Sequence, residues 1–249
     1  SHTTIVCDQR LADHVVRLGS QERGAVHVVR NFVDTERFNP NAARRDLVRK
    51  EMGIGDNDFA VLCPRRLVSK NGAVFLIEAT PHLTGRDNAR FPKVLFVGEG
   101  YQLAEIWETA RRLGVSDHVV ALGTVHNSLM PRLYVAADAV VIPSVTASGV
   151  VEGTSIAALE AMACGRPVVA SAIGGLREVI EHEQTGLLVP ERDPEALAAA
   201  LARLMHDPAL RERLGSAASR YVYEKRSSNA AAQVFLAIYR EAIGFGLNS

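Results

Sequence analysis

The chain has 249 residues, of which 47% are hydrophobic, 22% charged and 6% aromatic. This composition is typical of a globular protein and excludes a disordered, collagen-like or coiled-coil chain. The 28 Lys and Arg residues balance the 28 Asp and Glu residues, so the net charge creates no long-range attraction to nucleic acid or to an anionic membrane. The sequence therefore predicts that nucleic acid is not a partner.

Cysteine content and hydropathy point to the compartment. Cys7, Cys63 and Cys164 are odd in number and have no metal-binding spacing, which favours buried thiols in a reducing compartment over a disulfide framework. No apolar run reaches the roughly 18 to 20 residues that a membrane-spanning helix needs, and the first residues lack the pattern of a signal peptide. These features predict a cytoplasmic protein, and an opening without Met suggests part of a longer chain.

Short β-branched runs alternate with helical patterns along the chain. The predicted strands are Thr4–Cys7, Val26–Val29, Phe59–Pro64, Val94–Gly98, Val119–Leu122, Ala139–Ile142, Pro167–Ala170 and Gly186–Val189. The predicted helices are Asn71–Leu83, Tyr101–Leu113, Met130–Ala136, Ser155–Ala163 and Gly175–Ile180, and the pattern is purely helical from Pro194 to about Ile243. Alternation of strand, helix and parallel strand predicts an α/β fold with a Rossmann-like, doubly wound parallel sheet and a helical C-terminus.

A linker at Asn31–Asp34 divides the chain into two parts. Residues 1–34 contain one isolated strand–helix–strand unit, and we predict that they are the tail of a preceding N-terminal domain together with the linker. Residues 35–249 contain a complete Rossmann-like unit with its helical end. We predict that this second part is one domain.

The segment from Gly149 to Pro167 is the most informative of the chain. It follows a predicted strand, and Gly153, Thr154 and Ser155 open the helix within it. A helix N-terminus at the carboxyl end of a parallel strand presents backbone N–H groups and a positive dipole end. The segment is therefore a candidate phosphate site.

Two carboxylates, Glu152 and Glu160, mark this helix. Their spacing corresponds to about 12 Å along a helix axis. Acid/base pairs of glycosidases lie roughly 5 to 9.5 Å apart, so these two are not expected to flank one bond. They suit the two ends of an elongated ligand with phosphates between them, such as a nucleoside diphosphate sugar. In the alternative interpretation, Glu152 favours the helix dipole and Glu160 is a solvated helix residue.

Further motifs accompany this pair in a fixed order. They are the linker Asn31–Asp34 with Phe38, Val97–Gly100, Leu122-Gly123, Pro143-Ser144, Glu152-Gly153, Leu159–Ser171, Gly174–Ile180 and Thr185–Pro190. This ordered set resembles the donor site of the retaining family 4 glycosyltransferases, which have the GT-B fold. The resemblance covers nearly the whole chain.

The resemblance implies a role for each residue of the helix segment. Glu160 would bind the ribose hydroxyls of a nucleotide, the backbone N–H groups of Gly153, Thr154 and Ser155 would hold its diphosphate, and Glu152 would face the transferred sugar. The resemblance implies no metal requirement. No cofactor is expected besides the nucleotide diphosphate sugar, which is the donor substrate.

The basic segment Arg65–Gly72 follows a strand and resembles the Arg-Leu-Val…Lys-Gly phosphate clamp of the family. A pair of cations there would neutralise the departing diphosphate. The commoner pattern spaces Arg and Lys one residue further apart, and without a gap Asn71 takes the Lys position. Arg66 and Lys70 are the predicted pair, and a solvated basic turn is the alternative.

Two loops after neighbouring strands carry the remaining candidates. Gly98-Glu99-Gly100 begins like a dinucleotide fingerprint, but Leu103 stands where that motif needs Gly or Ala, so a nicotinamide or flavin site is not expected. Gly98 is instead predicted to shape a turn near the donor. The resemblance places Gly123 and Val125 near the nucleobase.

The resemblance thus implies the C-terminal, donor-binding half of an enzyme that transfers a sugar from a nucleotide diphosphate sugar to an acceptor with retention of configuration. Under this interpretation residues 35–249 are the nucleotide-sugar donor-binding domain. The expected partner is an N-terminal acceptor-binding domain, on which any membrane association would depend, and the chain alone is expected to bind nucleotide but to transfer sugar poorly or not at all. The alternatives are a non-catalytic nucleotide-binding module and a GT-B relative that acts as an epimerase or phosphorylase.

Overall fold

The computed structural model describes residues 3–19, 23–83, 92–147 and 153–244. The strands are β1 (Thr4–Val6), β2 (Val26–Val28), β3 (Ala60–Pro64), β4 (Lys93–Val97), β5 (Val119–Ala121), β6 (Ala139–Ile142), β7 (Val168–Ser171) and β8 (Leu187–Val189). The α-helices are α1 (Gln9–Arg17), α2 (Arg45–Glu51), α3 (Ala73–Ala79), α4 (Leu103–Arg112), α5 (Met130–Ala136), α6 (Ile156–Ala163), α7 (Leu176–Val179), α8 (Pro194–His206), α9 (Pro208–Lys225) and α10 (Ser228–Gly244). Short 3₁₀ turns include Ser69–Asn71, Thr80–Leu83 and Asn127–Leu129.

Six of the strands form one parallel sheet in the order β5-β4-β3-β6-β7-β8. The chain builds this sheet outward from β3, first through β4 to β5 on one side and then through β6 to β8 on the other. This strand order confirms the predicted doubly wound fold. The direction of winding reverses between β3 and β6, and a crevice at such a reversal is where open α/β sheets bind ligands.

The core lies on both faces of this sheet, as the continuous apolar strands predict. Every residue of β3 is buried, and its alternate side chains enter different clusters. Leu62 joins the cluster that holds residues of α5 and α6, whereas Val61 joins the cluster under α3, α4 and α8. The sheet is therefore fixed from both sides, and the loops at its carboxyl edge rest on a rigid base.

The N-terminal strands β1 and β2 form a separate two-stranded parallel sheet. The linker after β2 is paired with the C-terminal helices: the Val33 amide donates to the Arg226 carbonyl at 2.8 Å, and the Ser228 amide donates to the Val33 carbonyl at 2.9 Å. The domain boundary at residue 34 stays a prediction. In the part of the chain that the structure describes, no helix is long and apolar enough to cross a membrane.

The predicted strands and C-terminal helices agree closely with those of the structure, and one predicted helix differs. Asn71–Leu83 is not one helix but two 3₁₀ turns on either side of α3. Gly72 interrupts the segment with a φ of 65°, and Pro81, which has no amide proton to donate, follows the end of α3. Helix α2 was not among the predicted elements.

Candidate active site

The candidate site lies where the winding of the sheet reverses. Arg65 follows β3 directly, and Ser144 follows β6. The Arg65 guanidinium donates from Nη2 to Ser144 Oγ at 3.0 Å, across the gap between the two strand ends. The two loops that border the crevice are thus tied together by one side chain.

Helix α6 begins at the same place. Ser155 is its N-cap, and its hydroxyl oxygen accepts from the Ala158 amide at 3.4 Å and from Arg65 Nη1 at 3.2 Å. A cap of this kind satisfies one of the first helical amides and leaves the others for a ligand. Gly153, Thr154 and Ser155 therefore lie beside a guanidinium at a helix N-terminus, a setting that suits an anion.

The predicted cation pair borders this crevice. Arg66 and Lys70 are exposed and line a cleft of about 260 Å³ together with Pro64, Arg65 and Asn71. Arg65 is half-buried, and Asn71 is buried. The cleft thus gathers three cationic side chains at the end of β3, and the roles of Arg66 and Lys70 stay predictions.

Gly98 supports the loop that carries these cations. Its φ is 129°, and a Cβ there would lie 2.4 Å from the carbonyl oxygen of Arg65. Only glycine allows this close approach. The Gly98 amide also donates to the Gly123 carbonyl at 2.8 Å, so the loops after β4 and β5 are held against the Arg65 loop.

A second glycine shapes the start of α6. A Cβ on Gly175 would lie 2.6 Å from the carbonyl carbon of Gly153 and 2.6 Å from the amide nitrogen of Thr154. Glycine therefore lets α7 pack directly against the backbone of the loop that precedes α6. The Gly174-Gly175 motif has a packing reason, namely that it fixes the position of the Gly153–Ser155 backbone.

Glu160 lies further along α6 and is held by a buried phenol. The Tyr134 hydroxyl donates to Glu160 Oε2 at 2.8 Å, and the Tyr134 side chain is fully buried. Burial raises the pKa of Glu160 above its ordinary value, while the Tyr134 hydrogen bond and the charge of Arg37 act in the opposite direction. Burial also raises the pKa of Tyr134 well above its ordinary value, which keeps it protonated as a donor.

The segment that follows the linker contributes to the environment of Glu160. Phe38 is buried and packs edge-to-face on the Tyr134 ring, with the ring centroids 6.1 Å apart. The Arg37 guanidinium lies 4.9 Å from the Phe38 ring centroid and donates to Asn127 Oδ1 at 2.7 Å. This segment therefore packs against Tyr134, the partner of Glu160, and is hydrogen-bonded to Asn127 beyond β5.

The remaining predicted residues divide into two groups. Gly123 and Val125 lie on the loop after β5, and Val125 packs against the core. His126 on this loop caps the following 3₁₀ turn, because its Nδ1 accepts from the Ser128 amide at 3.3 Å. Glu152 lies outside the described residues, so its role stays a prediction.

Candidate metal ligands do not gather in groups among the residues that the structure describes. No group of three or more His, Cys, Asp or Glu side chains in these residues could hold a metal ion. The sequence Asp56-Asn57-Asp58, which has the form of a metal-binding motif, is a turn. Within that turn, the Gly55 amide donates to Asp58 Oδ2 at 2.7 Å.

Two residues that hold the site together, Arg65 and Tyr134, are not among the predicted site residues. Arg66 is the predicted cation, although Arg65 is the residue that follows β3 directly, and the sequence predicts no role for Tyr134. The position of Arg65 at the end of the first strand of the large sheet was the available signal. For Tyr134 no signal existed, since a tyrosine in an apolar helix is typical of core packing.

Helix α6 thus brings together its N-terminus, the Arg65 guanidinium and, further along, the half-buried carboxylate of Glu160. The first two can stabilise negative charge on an oxygen, and the third can accept hydrogen bonds from hydroxyl groups.

The family model described as Glycosyl transferases group 1 matches residues 44–221. The chain belongs to this family.

The curated relatives to which this group 1 family member is similar are also glycosyltransferases. The chain is 33% identical over 241 residues to an uncharacterized glycosyltransferase of Methanocaldococcus jannaschii. This alignment covers 96% of the chain and 60% of the relative. The chain is also 36% identical over 193 residues to a GDP-mannose-dependent α-(1-6)-phosphatidylinositol monomannoside mannosyltransferase of Mycobacterium tuberculosis. That alignment covers 76% of the chain and 49% of the relative. The chain thus spans about half the length of the curated relatives that it matches.

Solved structures show the same fold. The structure of HepE from Anabaena in complex with UDP-glucose superposes with a TM-score of 0.82 at 23% identity. The match covers 98% of this chain and 64% of the HepE chain. It confirms the Rossmann-like architecture of the GT-B glycosyltransferases for this group 1 member.

Proposed function

We propose that this chain is the donor-binding domain of a retaining glycosyltransferase and that it holds a nucleoside diphosphate sugar in the crevice between β3 and β6. The observation that carries the proposal is the Arg65 guanidinium, which bridges Ser144 and the N-cap Ser155 at the reversal point of the sheet. Cations and helix amides at that point suit a diphosphate.

The parts of the donor follow from the arrangement of the crevice. The diphosphate lies against the Gly153–Ser155 backbone, with Arg66 and Lys70 at the mouth of the cleft. Glu160 accepts hydrogen bonds from the ribose hydroxyls, and the base lies toward the loop of Gly123 and Val125. Glu152 faces the sugar.

The chemistry requires stabilisation of the leaving group. As the bond between the sugar and the diphosphate breaks, negative charge grows on the diphosphate oxygens while the sugar becomes positively charged. Fixed N–H groups and guanidinium groups stabilise that oxygen charge without reorganising at the moment of reaction. No metal ion is needed for this role if the side-chain cations supply the charge.

The relatives support the class of donor. The mycobacterial relative depends on GDP-mannose, and the Anabaena structure contains UDP-glucose. We therefore propose a nucleotide sugar as the donor. The acceptor is held by an N-terminal domain, so the chain alone binds nucleotide but transfers sugar poorly or not at all.

Isothermal titration of the chain with UDP, GDP and ADP tests this proposal. We expect saturable binding with one molecule of nucleotide per chain and a preference of about tenfold or more for one base, because a pocket that pairs with one base leaves polar groups unpaired with the others. Addition of the matching nucleotide sugar and simple acceptors should give little turnover. Failure of all three nucleotides to bind would contradict the proposal.

A further inference from the structure

A cavity of about 730 Å³ lies at the edge of the sheet opposite the crevice. Asp138 and Pro167, which directly precede β6 and β7, belong to its wall, as does Gly165 just beyond the end of α6. Small-molecule sites typically have volumes of about 300 to 1,000 Å³, so the cavity is large enough for a ligand. The charged side chains among the described residues that line it are Arg45, Arg166, Arg211, Arg220, Asp138 and Glu212. Cations thus outnumber carboxylates on this wall.

The Arg166 guanidinium has no carboxylate partner among the residues that the structure describes. It is half-buried, and its Nε donates to the Cys164 carbonyl at 3.2 Å while its Nη1 donates to the Ala137 carbonyl at 3.5 Å. Burial lowers the pKa of Arg166 below its ordinary value, and the charge of Arg49 acts in the same direction, whereas the charge of Asp138 opposes it. A charge that is removed from water without a partner costs free energy, and an anion in the cavity would offset that cost.

The two carboxylates of the wall do not neutralise this excess of positive charge. The Oδ1 atom of Asp138 accepts from Arg45 Nη2 at 2.7 Å. Its Oδ2 atom accepts from Arg49 Nη1 at 2.9 Å and from the Ala60 amide at 2.8 Å. Glu212 is exposed on α9, where water and salt screen its charge. Positive charge therefore remains available to a ligand in the cavity.

Helix α9 completes the wall beside Arg166. A Cβ on Gly215 would lie 2.2 Å from the Gly165 carbonyl oxygen, so α9 packs directly on the turn that carries Arg166. Ser216 and Arg220 lie about one turn apart on this helix, and both line the cavity. Two guanidinium groups and a hydroxyl thus reach the same cavity from separate elements.

We propose that this cavity binds a small organic molecule that carries a phosphate monoester group, with the phosphate in contact with Arg166 and Arg220. The planar guanidinium fork matches phosphate oxygens, and the near-double negative charge of a monoester suits the excess of arginines. A phosphate ion alone would leave most of the cavity empty. The wall also presents apolar surface from Pro40 and the exposed Tyr223 ring, against which the organic part packs.

Titration of the chain with phenyl phosphate, followed by the chemical shifts of backbone amides, tests the proposal. We expect saturable binding with a Kd of about 1 mM or lower and clear shifts at Gly165, Arg166 and 216–220. Inorganic phosphate should shift the same amides and bind about 3- to 10-fold more weakly, because it lacks the ring that packs on the apolar wall. Phenol, which lacks the charge, should give no saturable shifts there. Absence of phosphate-dependent shifts at these amides would overturn the proposal, whether or not the start of α6 responds.

Substitutions identify the groups that hold the phosphate. Arg166→Met should weaken phenyl phosphate binding by about tenfold or more, and Arg220→Met by about 3- to 10-fold. Arg112→Met, which removes an exposed cation on α4, is the matched control and should bind within about twofold of the unchanged chain. Because Arg220 is exposed, its variant decides the test if Arg166→Met does not fold. Affinity within about twofold of the unchanged chain in either folded variant would overturn the proposal, and the proposed donor site at the other edge of the sheet would stand.

Discussion

Replacement of Asp138 by Ala is expected to lower the free energy of unfolding by about 3 to 5 kcal/mol, because it leaves a buried charge without its partner. Asp138 lies just before β6. Its Oδ2 accepts from Arg49 Nη1 at 2.9 Å and from the Ala60 amide at 2.8 Å, and its Oδ1 accepts from Arg45 Nη2 at 2.7 Å. The Arg49 side chain is only 6% exposed.

The cost is large because two guanidinium groups, those of Arg45 and Arg49, are paired with this one carboxylate, and the charge of a third, Arg166, acts on both of them. Burial lowers the pKa of Arg45 to about 10, the charge of Asp138 opposes that shift, and the charges of Arg166 and Arg49 add to it. Without Asp138 the mutual repulsion of these cations would be uncompensated. Arg49 would keep its bonds to the carbonyls of Gly55 and Asp58, both at 2.7 Å, but these are neutral acceptors.

Urea unfolding of the chain measures this loss. Asp46→Ala is the matched control, because the Arg44–Asp46 pair has an Nη2–Oδ2 distance of 2.7 Å and both side chains are exposed. An exposed pair contributes about 0 to 1 kcal/mol, so this control should unfold almost like the unchanged chain. A loss below about 1 kcal/mol for Asp138→Ala would contradict the role of the buried pair.

The second large effect concerns nucleotide binding. Glu160→Ala should weaken binding of the preferred nucleoside diphosphate about 30- to 100-fold, since the carboxylate would accept charge-assisted hydrogen bonds from the ribose hydroxyls. The deprotonated form is the better acceptor. Because burial raises the pKa of Glu160 above its ordinary value of 4.5, affinity should already fall as the pH drops toward that raised pKa.

Tyr134→Phe is the conservative variant for this effect. It keeps the buried ring but removes the hydroxyl that donates to Glu160, so the pKa of Glu160 should rise further. Binding should weaken about 3- to 10-fold near neutral pH, and the loss of affinity on acidification should begin at a higher pH than in the unchanged chain. Isothermal titration over a pH series measures both changes.

Two results would contradict this account of Glu160. One is nucleotide affinity in Glu160→Ala that stays within about twofold of the unchanged chain. The other is a Tyr134→Phe profile that keeps its acidic limb at the same pH, since this would mean that Glu160 is not the group that titrates. The nucleoside should respond like the diphosphate in both variants, because the ribose is common to the two ligands.

Much of the fold could be predicted because the sheet is buried on both faces. Strands such as Ala60–Pro64 and Ala139–Ile142 are continuous apolar runs, which is the pattern expected of strands that are covered on both faces. The α6 segment could be predicted as well, since its cap residue and its position after a strand are local features. Helix α2 could not, because its buried face includes Arg49, which resembles a surface residue in the sequence.

The site was harder to predict because its contacts join distant positions. Arg65 and Arg66 are adjacent and chemically identical, and only the packing of β3 against β6 shows which guanidinium reaches Ser144. The bond between Tyr134 and Glu160 likewise joins two helices and leaves no local pattern. Chemical type could therefore be predicted at these positions, but not the partner of each side chain.

The central claim is that a nucleoside diphosphate binds at the carboxyl ends of β3 and β6. Chemical-shift mapping of backbone amides during titration with the preferred nucleoside diphosphate tests it most directly. We predict that the largest shifts occur at Gly153–Ala157 and in the loop after Pro64. The structure also has a cavity of about 730 Å³ at the opposite edge of the sheet, lined in part by Arg45, Arg166 and Arg211. Largest shifts around that cavity, with none at the start of α6, would contradict the account.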